Sequence, residues 1–147
     1  MARAEDNSQL SLSLPVPVPI AARVRQSGLT YKADLLTQEI LNVQSMGDKL
    51  RQELMTKELW QSIGQCLSKF HQQGIVHKDL NIENIQIDDN DKVFFLDFDK
   101  TRFSKSSPEI LGANLRRLRK SILKLTLLRN QDFPEKGWIN LVSATSY

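Results

Sequence analysis

Three oxygen-bearing side chains, Asp79, Asn84 and Asp97, have the types and spacing to do chemistry in this 147-residue chain. Asp79 and Asn84 stand in the run His77-Lys78-Asp79-Leu80-Asn81-Ile82-Glu83-Asn84, and Asp97 opens Asp97-Phe98-Asp99. Between them Ile85 and Ile87 flank Gln86, Asp88-Asp89-Asn90-Asp91 has turn composition, and Val93 to Leu96 is apolar. That pattern predicts a β-hairpin. A hairpin brings its two ends together, so Asp79 and Asn84 should lie beside Asp97. Two carboxylates and a carboxamide oxygen around one small volume suit a hard, oxygen-seeking cation. Mg²⁺ held by one or two carboxylates plus substrate phosphates fits best. The plain alternative is a surface hairpin with an acidic turn.

The ordered set resembles the catalytic segment of kinases, a His-Arg-Asp-Leu type loop with Asn five residues after the Asp, followed by Asp-Phe-Gly. The resemblance implies that Asp79 accepts or orients the proton of an attacking hydroxyl, while Asn84 and Asp97 hold Mg²⁺ against the phosphates of ATP. His77 is then a scaffold imidazole that hydrogen-bonds backbone near the last Asp triplet. Lys78 and Asn81 are candidates for phosphate or sugar contacts, and Asp99 for a water-mediated one, with solvation or loop capping as the alternatives.

Two departures argue against a protein kinase. Asp99 replaces the glycine of the triplet, and Ser107-Pro108-Glu109 follows too soon to close an activation segment. The stretch Gly74 to Ile85 with Phe95-Leu96-Asp97-Phe98-Asp99-Lys100 is similar instead to the 3-deoxy-D-manno-octulosonic acid (Kdo) kinases of bacterial lipopolysaccharide assembly. Pro15 to Val24, Gly28 to Thr37 and Asn114 to Ser121 add to this likeness, which covers most of the chain after about Leu14. It implies an acceptor of the Kdo-lipid A type and a peripheral place at the cytoplasmic face of the inner membrane. The heptose kinases of the same pathway share the His-x-Asp start and rank second. The fold implied is α+β: the C-terminal, mostly helical lobe of the protein-kinase-like fold, with a catalytic β-hairpin and a remnant N-lobe hairpin.

The elements that must position these residues are legible in outline. Two strand-like runs from Ile20 to Leu36 face each other across Ser27-Gly28, with Ala22, Val24 and Gln26 on one alternation and Tyr31, Ala33 and Leu35 on the other, and predict a hairpin. In the kinase analogy the backbone near Thr37 to Ile40 becomes the hinge along the adenine. Ser45 to Leu54 predicts a short helix. Thr56 is a good N-cap for a longer one ending at Gly74, whose stripe of Met55, Leu59, Ile63, Cys66, Leu67 and Phe70 marks a core face. Trp60 extends that stripe, and His71 near the helix end is placed to meet the terminal carbonyls when protonated. Ile75-Val76 is a short β run anchoring His77. Leu111 to Leu128 is a helix with a seam of Leu111, Leu115, Leu118, Ile122 and Leu125, and Pro134 to Ser143 another that packs through Trp138, Leu141 and Val142.

Composition bounds the rest. With 40% hydrophobic and 25% charged residues the chain is globular rather than disordered, and its length allows one domain. The organisation expected is an extended lead-in over 1–19, a remnant hairpin and hinge over 20–40 and a catalytic lobe over 41–147. Lone Cys66 excludes an internal disulfide and reads as a buried thiol. Leu12 to Ala22 does not read as a signal peptide, because Glu5 and Asp6 precede it and prolines stand at every second place from Pro15 to Pro19, and no run is long enough to span a bilayer.

Nine of the basic residues fall between Lys100 and Arg129, against the single acid Glu109. Arg116, Arg117, Arg119 and Lys120 are the candidates there for an anionic partner, either lipid A phosphates or an anionic membrane surface. Nucleic acid is disfavoured, since no groove-reading motif or stacking aromatic series accompanies them. A glycine-rich loop and a phosphate lysine paired to a helical glutamate are not found: Gly28 is the sole glycine before Gly47, and Lys32 lies too near the hinge. The expectation is a catalytic lobe without most of its N-lobe, and little activity from the chain alone, either as a kinase remnant or as an anionic-lipid-binding module.

Overall fold

The computed structural model describes residues 14–28, 30–98, 102–103 and 107–145. Asp99 and the first thirteen residues, the bulk of the expected lead-in, lie outside them. Strands β1 (Pro19–Ser27) and β2 (Thr30–Thr37) pair antiparallel as a ribbon of their own, with Ala22 opposite Leu35, Val24 opposite Ala33 and Gln26 opposite Tyr31. Gly28 supplies the left-handed turn residue at φ 59°.

The hairpin expected between Asn84 and Asp97 forms from β5 (Ile85–Asp88) and β6 (Val93–Phe95), with Ile85 opposite Phe95 and Ile87 opposite Val93. All four of these side chains are buried while Gln86 and Phe94 are only partly so, the alternation of a sheet covered on one face. Its turn closes on Asp88, whose Oδ1 accepts from the Asn90 and Lys92 amides at 2.8 and 2.9 Å. A third strand, β3 (Val43–Ser45), adds to β5 and makes the order β3-β5-β6. Val43 to Ser45 is too short for its alternation to be read in isolation. β4 (Ile75–Val76) pairs with β7 (Arg102–Phe103).

Helix α1 (Met46–Arg51) starts one residue after Ser45, which is its N-cap rather than part of the helix. The helix stops short of Leu54, and Glu53 takes a left-handed φ of 59°. Helix α2 (Lys57–Gln72) is capped by Thr56, whose side chain accepts from the Leu59 amide at 3.2 Å, and Gly74 turns the chain out of it at φ 71°. Its buried face meets the hairpin: the Phe70 ring stacks on Phe95 at 5.0 Å and on Phe98 at 5.3 Å. Helices α3 (Pro108–Leu128) and α4 (Glu135–Ser143) complete the core.

At Gly64 the backbone of α4 comes so close that a Cβ would strike the Leu141 carbonyl, and one at Gly137 would strike the Trp60 ring. Leu141 is fully buried, whereas Val142, expected to pack, is 37% exposed. The lead-in is pinned where it is described. Leu14 is buried, and the Pro15 carbonyl accepts from the Phe95 amide at 3.1 Å.

His71 departs from the sequence expectation. It is 4% exposed, its Nε2 accepts from Asn114 Nδ2 at 2.8 Å, and burial pushes its pKa down to about 4. It is therefore neutral and ties α2 to α3 instead of serving the helix end as a cation. The seam of α3 likewise holds a polar member at Asn114, fully buried between the leucines.

Candidate active site

His77 is the hub on which the catalytic loop turns. Its buried ring meets the Leu96 carbonyl through Nε2 at 2.7 Å, and the Asp79 amide donates to Nδ1 at 3.3 Å. A nitrogen that accepts from an amide carries no hydrogen, so the ring hydrogen sits on Nε2 and is donated to the Leu96 carbonyl. One imidazole thus joins the residue before Asp97 to the backbone of Asp79. Phe98 packs on the same ring at 5.0 Å and on Phe70 of α2, which fixes the Asp97-Phe98 corner from below. Asp97 itself is exposed and held at φ 60°, a left-handed conformation that aspartate tolerates better than most residues.

Asn84 is oriented by its own hydrogen bonds. Its Nδ2 donates to the Asp79 carbonyl at 3.0 Å, and its carbonyl accepts from the Leu96 amide at 2.9 Å. With the amide nitrogen turned onto the loop, Oδ1 is the atom left for a cation. Asn81 shapes the turn between them: Nδ2 donates to the same Asp79 carbonyl at 3.1 Å, and Oδ1 accepts from the Glu83 and Asn84 amides at 2.9 and 3.1 Å. Both ends of its side chain are engaged by backbone.

Among the described residues no donor or cation engages the carboxylate of Asp79 or Asp97, and no three His, Cys, Asp or Glu side chains gather as a metal cage. Two carboxylates and one carboxamide oxygen are donor types that would suit Mg²⁺, which takes few protein ligands and completes its shell with phosphate and water. The donor set therefore fits that ion and would not by itself hold a structural metal.

Residues that the sequence reading passed over hold the loop in place. Ser45 Oγ lies 2.9 Å from both Asp48 Oδ2 and Glu83 Oε2, and Arg51 reaches Asp48 at 2.9 Å and Glu83 at 2.7 Å. The Ser45 hydroxyl, followed by Arg51, holds the Asp48 carboxyl below its usual range, and Glu83 raises the Arg51 guanidinium. Glu83 precedes Asn84, so this cluster clamps the loop to α1. From the other side the Ser121 hydroxyl of α3 accepts the Ile82 amide at 3.2 Å. The signal for Glu83 was its place inside the motif; the ties of Ser45, Arg51 and Ser121 to the loop had none, because those partners are 38, 32 and 39 residues away.

Of the basic residues, Arg117 and Lys120 line a groove of about 760 Å³ that also includes Lys78, Asp79 and Asn81. Lys124 joins them. Arg116 does not line it, and Arg119 turns to Glu135 at 3.3 Å and lies over the Phe133 ring at 4.6 Å.

Residues 8–145 match the model of the lipopolysaccharide kinase (Kdo/WaaP) family. The chain belongs to this family. Among curated proteins, this Kdo/WaaP chain is 42% identical over 127 residues to a 3-deoxy-D-manno-octulosonic acid kinase of Vibrio parahaemolyticus, a match covering 86% of it and 53% of the relative. A protein of the same description from Haemophilus influenzae (strain PittGG) is 40% identical over 130 residues, covering 85% and 54%. The chain spans about half the length of these relatives. Among solved structures, the crystal structure of WbdD superposes with a TM-score of 0.52 at 13% identity, covering 99% of this chain and 38% of that one. Together these establish the kinase-like α+β fold and a phosphotransferase family.

Proposed function

We propose that this chain carries the catalytic half of an ATP-dependent sugar kinase that phosphorylates a Kdo hydroxyl of a Kdo-lipid A precursor, as a peripheral protein at the cytoplasmic face of the inner membrane. The observation that carries the reading is the tie from His77 to both Leu96 and Asp79, together with the fixed turn of Asn84. In the reaction the acceptor oxygen bonds to the γ-phosphorus of ATP, the bond to the bridging oxygen breaks and ADP leaves. Asp79, exposed at the loop, takes the hydroxyl proton as that oxygen attacks. Asn84 Oδ1 and the Asp97 carboxylate would hold Mg²⁺, which when bound neutralises charge on the phosphate oxygens. Lys78 faces the acceptor side, His77 stays structural, and Asn81 keeps the loop in shape. Asp99 lies outside the described residues, and its part remains the water-mediated contact expected from sequence.

In the same reading residues 1–19 lead in, 20–40 form the remnant of the N-lobe and the hinge, and 41–147 are the catalytic lobe. The free β1–β2 ribbon offers no glycine-rich phosphate clamp. Orientation supplies much of the rate in phosphoryl transfer, so the chain alone should transfer little phosphate. One second reading is a non-catalytic remnant that binds anionic lipid, which the cations Arg117, Lys120 and Lys124 lining the groove would serve. The test joins the upstream half of the Vibrio parahaemolyticus relative to this chain and follows labelled phosphate from ATP to Kdo-lipid A. Transfer should appear in the fusion and fall by at least a hundredfold in Asp79→Asn. A fully active Asp79→Asn fusion would remove the assigned base, and an inactive fusion would leave the remnant reading.

A further inference from the structure

The groove beside Asp79 has two different walls. Near the catalytic loop it presents Lys78, Arg117, Lys120 and Lys124, with Asp79 as the one acid among its lining residues. Interleaved with those cations along α3 is an apolar wall of Leu123, Leu127 and Leu128, exposed by 37%, 72% and 78%. Lys120 and Lys124 are four residues apart, as are Leu123 and Leu127, so a cationic row and an apolar row run side by side along one helix. Helix α3 is therefore amphipathic twice, with a buried seam of Leu118 and Ile122 and an outer face that mixes cations with leucines. Its distance from the chemistry is set by the bond from the Ile82 amide to Ser121, which docks the loop on this helix.

A soluble anion would need the cations alone, and a nucleic acid has no use for three exposed leucines. A phosphorylated amphiphile standing in a bilayer uses both, because its headgroup phosphates meet the lysines while the leucines enter the apolar layer below. Resting on the sugar-kinase reading above, we propose that this groove is the acceptor seat and membrane-docking face of the protein. Arg117, Lys120 and Lys124 hold the phosphates of an anionic glycolipid still in its bilayer, and Leu123, Leu127 and Leu128 insert beside it. The geometry presents a sugar hydroxyl above the phosphates to Asp79 without lifting the lipid from the membrane.

The test is sedimentation of the full chain with vesicles of phosphatidylcholine alone and with about one-third phosphatidylglycerol. Binding should need the anionic lipid and weaken with salt. Lys120→Gln/Lys124→Gln should lower it roughly fivefold per lysine. Leu127→Ser/Leu128→Ser, at two largely exposed positions, should lower it at least tenfold and leave the circular dichroism and melting temperature unchanged. Lys57→Gln/Lys69→Gln on α2 should do neither.

Unchanged binding in the leucine pair, competition by inorganic phosphate as effective as by vesicles, or leucine variants that change only the oligomeric state would each overturn the proposal. The last outcome would mean that a second copy covers the face. Vesicle binding is read without ATP or turnover, so it stands apart from the fusion assay. An active fusion whose leucine variants bind normally sinks the docking face alone, and a docking chain whose fusion is inactive sinks the kinase reading alone.

Discussion

Acidification should weaken this fold before its carboxylates begin to titrate, and His71 is the reason. The imidazole ordinarily titrates near 6.5. In the folded chain burial holds it at about 4, with Nε2 accepting from Asn114 and Nδ1 without a partner among the described residues. Because the folded value lies below the unfolded one, the unfolded chain takes up the proton first. Stability is then full above about pH 6.5 and is lost as pH falls toward 4. A displacement of that size is worth about 3 kcal/mol in full, and about 2 kcal/mol between pH 7 and pH 5. Urea unfolding at those two values is the assay, comparing the natural chain with His71→Phe/Asn114→Leu, which replaces both polar partners with apolar groups of similar shape. The natural chain should lose about 2 kcal/mol more than the variant. Equal losses would show that His71 does not stay neutral in the fold, and the account of the α2–α3 link would fail with it.

Asn84→Asp sets a carboxylate oxygen against the Asp79 carbonyl where an N–H now donates. It should cost about 1 kcal/mol without divalent ions, and a melting curve that recovers with Mg²⁺ would check it. Gly64→Ala places a methyl against the Leu141 carbonyl, a backbone atom that cannot step aside. A loss of about 1–3 kcal/mol in urea unfolding is expected. Burial pushes the Cys66 thiol up to about 12, so a thiol reagent at pH 8 should label it only after denaturation.

The catalytic hairpin was open to reading because every determinant is local: alternation in Ile85 to Ile87, turn-forming Asp88, and apolar return from Val93. The caps of α2 and the pairing of β1 with β2 were legible for the same reason, although Ser27, expected in the turn, pairs with Thr30. What escaped was non-local. β3 depends on a distant partner strand, with Val43 set opposite Asp88 of β5. The Ser45–Arg51–Glu83 cluster joins segments that share no periodicity. His71 carried a correct helix position and the wrong charge state, since its burial and its partner Asn114, 43 residues away on α3, are not local features. Among the cations, helical spacing alone could not separate Arg117 and Lys120, which face the groove, from Arg119, which Glu135 and Phe133 turn away.

The bond from Phe95 to the Pro15 carbonyl seals one rim of the hairpin sheet with a strip of chain that ends in a proline-rich stretch unable to extend the ladder. Removing that strip would unseal the rim. A variant shortened to begin at Pro19 would present the outer border of β6 to water, close to the buried Phe95, and would tend to self-associate through it at concentrations where the intact chain does not.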